Sequence, residues 1–166
     1  KGQLGHDVVK ELNKRKIECL GVDIDDFDIT DAAAAAAFIR SYRPDAVIHC
    51  SAYTAVDKAE DNPELCGRVN GEGPRNIARV CKEIDAKMVY ISTDYVFPGI
   101  GERPYEVDDP TGPLGVYGRT KLEGERAVKE LLAKYFIVRI SWVFGRNGNN
   151  FVKTMLRPGK EKNEVS

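Results

Sequence analysis

The chain has 166 residues, 42% hydrophobic and 31% charged, and its 25 basic residues against 26 acidic ones leave a formal net charge of −1. That length suits one compact domain. The balanced charge lacks the basic excess expected of a nucleic-acid binder, and no apolar stretch approaches the roughly 20 residues that cross a bilayer. The opening Lys1-Gly2-Gln3-Leu4-Gly5-His6 has no apolar signal core. Cys19, Cys50, Cys66 and Cys81 lie far apart, without a C-x-x-C pair and each in an apolar stretch. A cytoplasmic protein with small buried thiols is therefore expected, rather than a disulfide or metal framework.

In chain order, His6 to Lys16 carries Val8, Val9 and Leu12 on one face with Lys10, Lys14 and Arg15 off it, the pattern of an amphipathic helix. Ile17 to Val22 is a short β-prone run that ends at Asp23. Asp31 is placed to cap a helix through about Tyr42, and Arg43-Pro44 stops it. Within it, Ala32 to Ala37 is a run of six alanines, strong helix formers with no polar face. Ala46 to Cys50 reads as a buried strand, a helix follows from about Asp57, and a longer one from Pro74 to Ile84 starts with proline in its permitted first turn. Lys87 to Ser92 is another strand, Pro98 to Pro113 a Gly/Pro/Asp-rich loop, Val116 to Lys134 the longest helix, and Phe136 to Ser141 the last strand. Strands alternating with helices imply an α/β fold, a doubly wound parallel sheet covered on both faces. Ligands of such sheets bind beyond the carboxyl ends of the strands, here just after Val22, Cys50, Ser92 and Ser141.

Gly2-Gln3-Leu4-Gly5 directly before a helix, with Asp23 about 20 positions on, matches the latter part of a dinucleotide fingerprint. Glycine lets the backbone approach a pyrophosphate, and the helix N-terminus supplies amide donors. Asp23 can accept hydrogen bonds from an adenosine ribose, which favours NAD over NADP; neighbouring Asp25, Asp26 and Asp28 also allow a plain acidic turn. A strand before the glycine loop, and the loop's first glycine, are expected upstream of this sequence.

Tyr117 and Lys121 stand at i and i+4 on one face of the long helix. A nearby cation stabilises a phenolate and brings tyrosine toward its working range as a proton donor. Thr93, at a strand end, can offer a hydroxyl to the same carbonyl oxygen. The order is glycine loop, acid, strand-end hydroxyl, then Tyr and Lys; it points to hydride reduction of a ketone with a nicotinamide cofactor. His6 and His49 have no third ligand at metal spacing and read as structural. Asn147 to Asn150 reads as a turn.

The segments Ser51-Ala-Tyr-Thr-Ala-Val-Asp-Lys-Ala-Glu60, Ser92-Thr-Asp-Tyr-Val-Phe-Pro98, Val116-Tyr-Gly-Arg-Thr-Lys-Leu-Glu-Gly-Glu125 and Arg139-Ile-Ser-Trp-Val-Phe-Gly145, with the glycine loop, resemble the dTDP-4-dehydrorhamnose reductase family of extended short-chain dehydrogenases. The resemblance implies a Rossmann-like NAD(P)-binding domain over 1–145 and the start of a substrate-binding portion at 146–166. It implies Thr93, Tyr117 and Lys121 as the catalytic trio, with Tyr117 the acid at the sugar C4 oxygen and Lys121 on the nicotinamide ribose. It further places Gly2, Gln3, Leu4 and Gly5 along the pyrophosphate, Asp28 and Ile29 beside the adenine, and Ser51, Ala52, Tyr53 and Thr54 behind the cofactor. Val56, Tyr95 and Trp142, with Thr93, would enclose the dTDP-sugar. NADPH or NADH is the implied cofactor and a homodimer a possible assembly. Magnesium is used by some relatives, and Asp7 is its faint candidate here. Two departures are Ser51, where the family usually has alanine, and Gly115, which is expected to loosen the helix start. The implied reaction is reduction of dTDP-4-dehydro-L-rhamnose to dTDP-L-rhamnose. The alternatives are a non-catalytic NADP-binding regulator like the regulatory subunit of methionine adenosyltransferase, and a sugar-nucleotide epimerase or dehydratase.

Overall fold

The computed structural model describes residues 2–161, so the last five positions of the expected 146–166 portion lie outside the described residues. Two compact units emerge, one of Asp23–Ile140 and one of Lys1–Val22 with Ser141–Ser166. No helix among the described residues is long and apolar enough to cross a membrane.

In the larger unit the fold is α/β, with strands β1 (Ala46–His49), β2 (Lys87–Thr93) and β3 (Tyr135–Ile140) forming a parallel sheet in the order β1-β2-β3. The register pairs Ile48 with Val89 and Val89 with Phe136. Helix α2 (Ala32–Tyr42) starts where expected: the Asp31 carboxylate accepts from the Ala33 and Ala34 amides at 2.9 and 3.0 Å, meeting two of the donors a helix start leaves open. Ala35 and Ala36 of the alanine run are buried with Ile39, so small side chains there bring α2 close to α5 (Gly73–Glu83). Helix α5 and α6 (Val116–Leu131) cover the sheet face that carries Met88 and Tyr90, both fully buried with Ile77, Ala78, Cys81 and Val128.

Alternate residues of a strand face opposite sides of a sheet, and here the two sides differ. Phe136 is 66% exposed, and Ile48 and Val138 are exposed beside it. Within this unit α5 and α6 cover one face of the sheet, and these three side chains lie on the other.

Helix α6 ends at Leu131 rather than Lys134 because Leu132 turns extended and the Lys134 carbonyl already accepts from the Met88 amide at 3.0 Å, the first rung toward β3. The region after Cys50 is more broken than the sequence suggests. It runs as α3 (Val56–Asp61), α4 (Pro63–Gly67) and a π-helical turn, Arg68–Glu72, that leads into α5.

In the smaller unit, α1 covers Gln3–Lys14, three residues earlier than its apolar spacing indicates, and α7 covers Phe151–Glu161. Lys16, at φ 58°, breaks α1. Ile17 to Val22 does not form the expected strand: it joins no ladder, and Ile17 and Leu20 are half exposed. β-Propensity is chiefly a measure of packing against strand neighbours, and this run has none among the described residues. Where a turn is expected at Asn147 to Asn150, the chain bends over 146–148, with Gly148 at φ 69° against Gln3. Of the four thiols, Cys66 and Cys81 are buried, whereas Cys19 and Cys50 are only partly so, because their flanking runs are not packed on both sides.

Candidate functional site

Thr93 closes β2, and its hydroxyl accepts from the Tyr95 amide at 3.3 Å, capping a 3-10 turn at Asp94–Val96. The same hydroxyl donates to the Asp94 carboxylate at 3.1 Å. Tyr117 lies in the first turn of α6. The amide of Val116 is met by the Glu60 carboxylate at 2.7 Å, and a Cβ on Gly115 would stand 2.8 Å from that same oxygen. Gly115 therefore does not loosen the helix start as expected; its missing side chain admits the carboxylate that caps it.

The Tyr117 phenol lies near enough to Thr93 for that hydroxyl to act on its titration, and Tyr95 packs edge-on to the Tyr117 ring with centroids 5.5 Å apart. Burial pushes the phenol above its ordinary pKa, the Thr93 hydroxyl opposes this, and Asp94 adds to the rise. Lys121 is 1% exposed. Its ammonium donates to the Ile91 carbonyl at 2.7 Å and sits 4.2 Å from the Tyr90 ring centre, a cation–π placement. Burial pulls Lys121 down to about 8, against the opposing pull of the Glu125 carboxylate. The structure thus brings Thr93, Tyr117 and Lys121 to one corner of this unit. The expected lowering of the phenol by Lys121 does not appear, because the ammonium is bound beneath the helix.

The segment after β1 is held by a residue that sequence reasoning missed. Asn70, in the π turn, accepts from the Tyr53 amide at 2.8 Å and donates to the Tyr53 carbonyl at 3.1 Å, so its side chain pairs with that backbone as a strand would. It also reaches the Cys66 sulfur and the Thr120 hydroxyl, each at 3.3 Å. The Tyr90 hydroxyl donates to the carbonyls of Asn70 and Lys121, both at 3.3 Å. Ser51 and Thr54 are exposed, Ala52 and Tyr53 half-buried, and Val56 opens α3. An amide-bearing side chain amid the otherwise apolar positions Cys66, Gly73 and Ile77 was the one available signal for Asn70.

Asp23 and Asp28 shape turns. Asp23 accepts from the Ile24 amide at 2.8 Å, and Asp28 accepts from both the amide and hydroxyl of Thr30 at 2.8 and 2.9 Å, bonds that hold its carboxyl below the usual range. Ile29 packs against the Cα of Gly73, where a Cβ would lie 2.7 Å from its methyl.

His49, 4% exposed, stacks on Tyr90 at 5.7 Å, and its Nε2 has no hydrogen-bond partner. Burial, helped by the Lys121 charge, pulls it down to about 3. An unfolded chain takes up this proton below about 6.5 while the folded one refuses it until about 3, so stability is lost as pH falls through that window. His49→Phe keeps a ring on Tyr90 and is expected to flatten the acid limb of denaturant-measured stability by about 1.4 kcal/mol per pH unit between these values. An unchanged slope would assign the proton to another group.

In the smaller unit, Gly2 caps α1 with no side-chain bond to the helix, and the first turn carries no acid. A Cβ at Gly2 would meet nothing within 4 Å. Open amides and open space at the start of a helix fit a pyrophosphate. Gln3 and Leu4 belong to the first turn of α1 and Gly5 follows them in the helix, not in a loop before it. The Gln3 side chain bridges the Val143 carbonyl at 3.1 Å and Asn150 at 3.0 Å. Trp142, at φ 52° and 74% exposed, meets Phe151 edge-on at 5.1 Å. Among the described residues no three His, Cys, Asp or Glu side chains gather as metal ligands.

A family model described as the RmlD substrate binding domain matches residues 1–166. The chain belongs to this family. It is 46% identical over 165 residues to dTDP-4-dehydrorhamnose reductase of Streptomyces griseus, covering 99% of this chain and 54% of that protein. The Escherichia coli K12 protein of the same name is 47% identical over 139 residues, 84% of this chain and 46% of the relative. The crystal structure of the Bacillus anthracis dTDP-4-dehydrorhamnose reductase in complex with NADP superposes with a TM-score of 0.96 at 45% identity, covering 99% of this chain and 58% of that one. This member of the RmlD substrate-binding family thus spans about half the length of the curated relatives it matches.

Proposed function

We propose that the protein is a nicotinamide-dependent reductase that converts the C4 ketone of dTDP-4-dehydro-L-rhamnose to the alcohol of dTDP-L-rhamnose. The observation that carries this reading is the Tyr117 phenol beside the Thr93 side chain, with the Lys121 ammonium buried one turn along the same helix. Bound NADPH or NADH would supply the hydride; the NADP in the Bacillus anthracis relative supports NADPH as the first cofactor to test. Gly2, Gln3 and Leu4 would hold its pyrophosphate through the open amides of α1, and Asp23, Asp28 and Ile29 its adenosine end. Ser51 to Thr54 would line the cofactor, fixed from behind by Asn70.

Tyr117 keeps its proton at neutral pH as any phenol does, the more so because burial raises its pKa, so the proton is available to the alkoxide that forms at C4. Thr93 orients that phenol. Lys121, buried one turn along α6, would hold the nicotinamide ribose of the bound cofactor. Val56, Tyr95 and Trp142 are proposed to contact the dTDP-sugar.

The test is NADPH oxidation by the full-length protein with enzymatically prepared dTDP-4-dehydrorhamnose. Stoichiometric formation of dTDP-L-rhamnose is expected. Tight NADPH binding with no oxidation would overturn the reductase reading in favour of a regulatory protein.

A further inference from the structure

Glu125 lies at i+4 from Lys121 and i+8 from Tyr117, which extends the phenol–ammonium pair of α6 to a third ionisable group on one face. Its side chain is 0% exposed. It accepts from the Ser92 hydroxyl at 2.6 Å and from the Arg139 guanidinium at 2.9 and 2.8 Å, one bond to each oxygen. Ser92 directly follows Ile91, the residue whose carbonyl receives the Lys121 ammonium. Helix α6 is therefore joined to two consecutive residues of β2 by one positive and one negative side chain, immediately before Thr93.

We infer that Glu125 is a positioning residue for Lys121, supplying the fixed buried charge that keeps the Lys121 ammonium charged and seated on the Ile91 carbonyl. This rests on the reductase reading only for its consequence in turnover. Other groups act on Lys121 from each element around it. His49 stands on β1, Cys50 follows it, Tyr90 is on β2 and Cys66 on α4. None of these is a carboxylate. A buried lysine otherwise sheds its proton, and Glu125 is the first of the groups that oppose this. Burial pushes the Glu125 carboxyl up, but Arg139, Ser92 and Lys129 together bring it below the ordinary range, so it stays ionised. Arg139 also lies over the Phe97 ring at 4.8 Å, which ties the same charge pair to the segment after Thr93.

The experiment follows the Lys121 Cε signal in full-length protein carrying ¹³C-labelled lysine, assigned with Lys121→Arg, in the parent, in Glu125→Gln, and in Glu125→Gln with Arg139→Gln. The double variant leaves no stranded guanidinium and covers the case in which the single one fails to fold. The parent midpoint is expected at about 8, and proton affinity is expected to fall roughly tenfold or more in the folded variants. In NADPH oxidation the alkaline limb of kcat is expected to move by the same amount. A midpoint that is unchanged or raised in a folded variant overturns the inference, even where melting temperature drops. If the parent does not turn over at all, the reductase reading fails while the Lys121 titration still decides the role of Glu125.

Discussion

Tyr117→Phe is expected to lower kcat for dTDP-4-dehydrorhamnose reduction by about 10²–10⁴-fold, the range a positioned proton donor contributes, with NADPH affinity within about threefold of the parent. The ring stays half-buried and edge-on to Tyr95, so packing is retained. Loss of the hydroxyl costs at most what one hydrogen bond contributes, about 0.5–1.5 kcal/mol of stability, too little to unfold the unit. Turnover and cofactor binding therefore separate in this variant. Steady-state kinetics beside a fluorescence titration with NADPH measures both. A loss below about tenfold would remove Tyr117 from the acid role.

Gly118→Ala is expected to damage both stability and turnover, although alanine is the better helix former by about 1 kcal/mol. A Cβ at this position would lie 2.3 Å from the Tyr95 carbonyl oxygen, 3.1 Å from its carbon and 3.0 Å from the Pro113 Cβ. The neighbours are backbone and proline, not the end of a flexible chain. They are also tied in place: Phe97 donates to Asp94 at 2.9 Å, and Gly112 to Val96 at 3.0 Å. Relief requires α6 to move away from the turn that follows Thr93, which separates Tyr117 from Thr93 and Tyr95. Overpacking of this kind costs about 1–3 kcal/mol, enough to exceed the propensity gain. Thermal melts and kcat should fall together. A variant as stable and as active as the parent would show that the turn yields freely.

The three ladder strands were legible because buried parallel strands appear as continuous apolar runs, and Ala46 to His49, Lys87 to Thr93 and Tyr135 to Ile140 are such runs. Ile17 to Val22 has the same composition but no partner in a ladder, and composition cannot report a partner. The Asp31 cap and the Tyr117 to Lys121 spacing are local, and they were read directly. Asn70 on Tyr53, Glu60 on Val116 and Glu125 on Ser92 span 17, 56 and 33 positions, so nothing in their own neighbourhoods announces them. The seat of the Lys121 ammonium was hidden for a related reason. Spacing places its Cα on a face of the helix, but the Ile91 carbonyl and the Tyr90 ring decide where four flexible bonds lead.

The π turn at Arg68–Glu72 sets the phase of everything beside it. A π turn holds about one residue more than an α turn, and one residue of α-helix corresponds to roughly 100° of rotation. That rotation lets Cys66 on one side and Ile77 and Cys81 on the other each face a separate buried cluster while Asn70 points at Tyr53 between them. Deleting a single residue within the turn would remove that extra residue from a stretch that already carries Gly67, Gly71, Gly73 and Pro74. It would also swing either Asn70 or the apolar stripe of α5 away from its partner. Insertions and deletions here are thus constrained by angle as much as by length, so this stretch should resist changes of chain length that the open Pro98 to Pro113 loop would absorb.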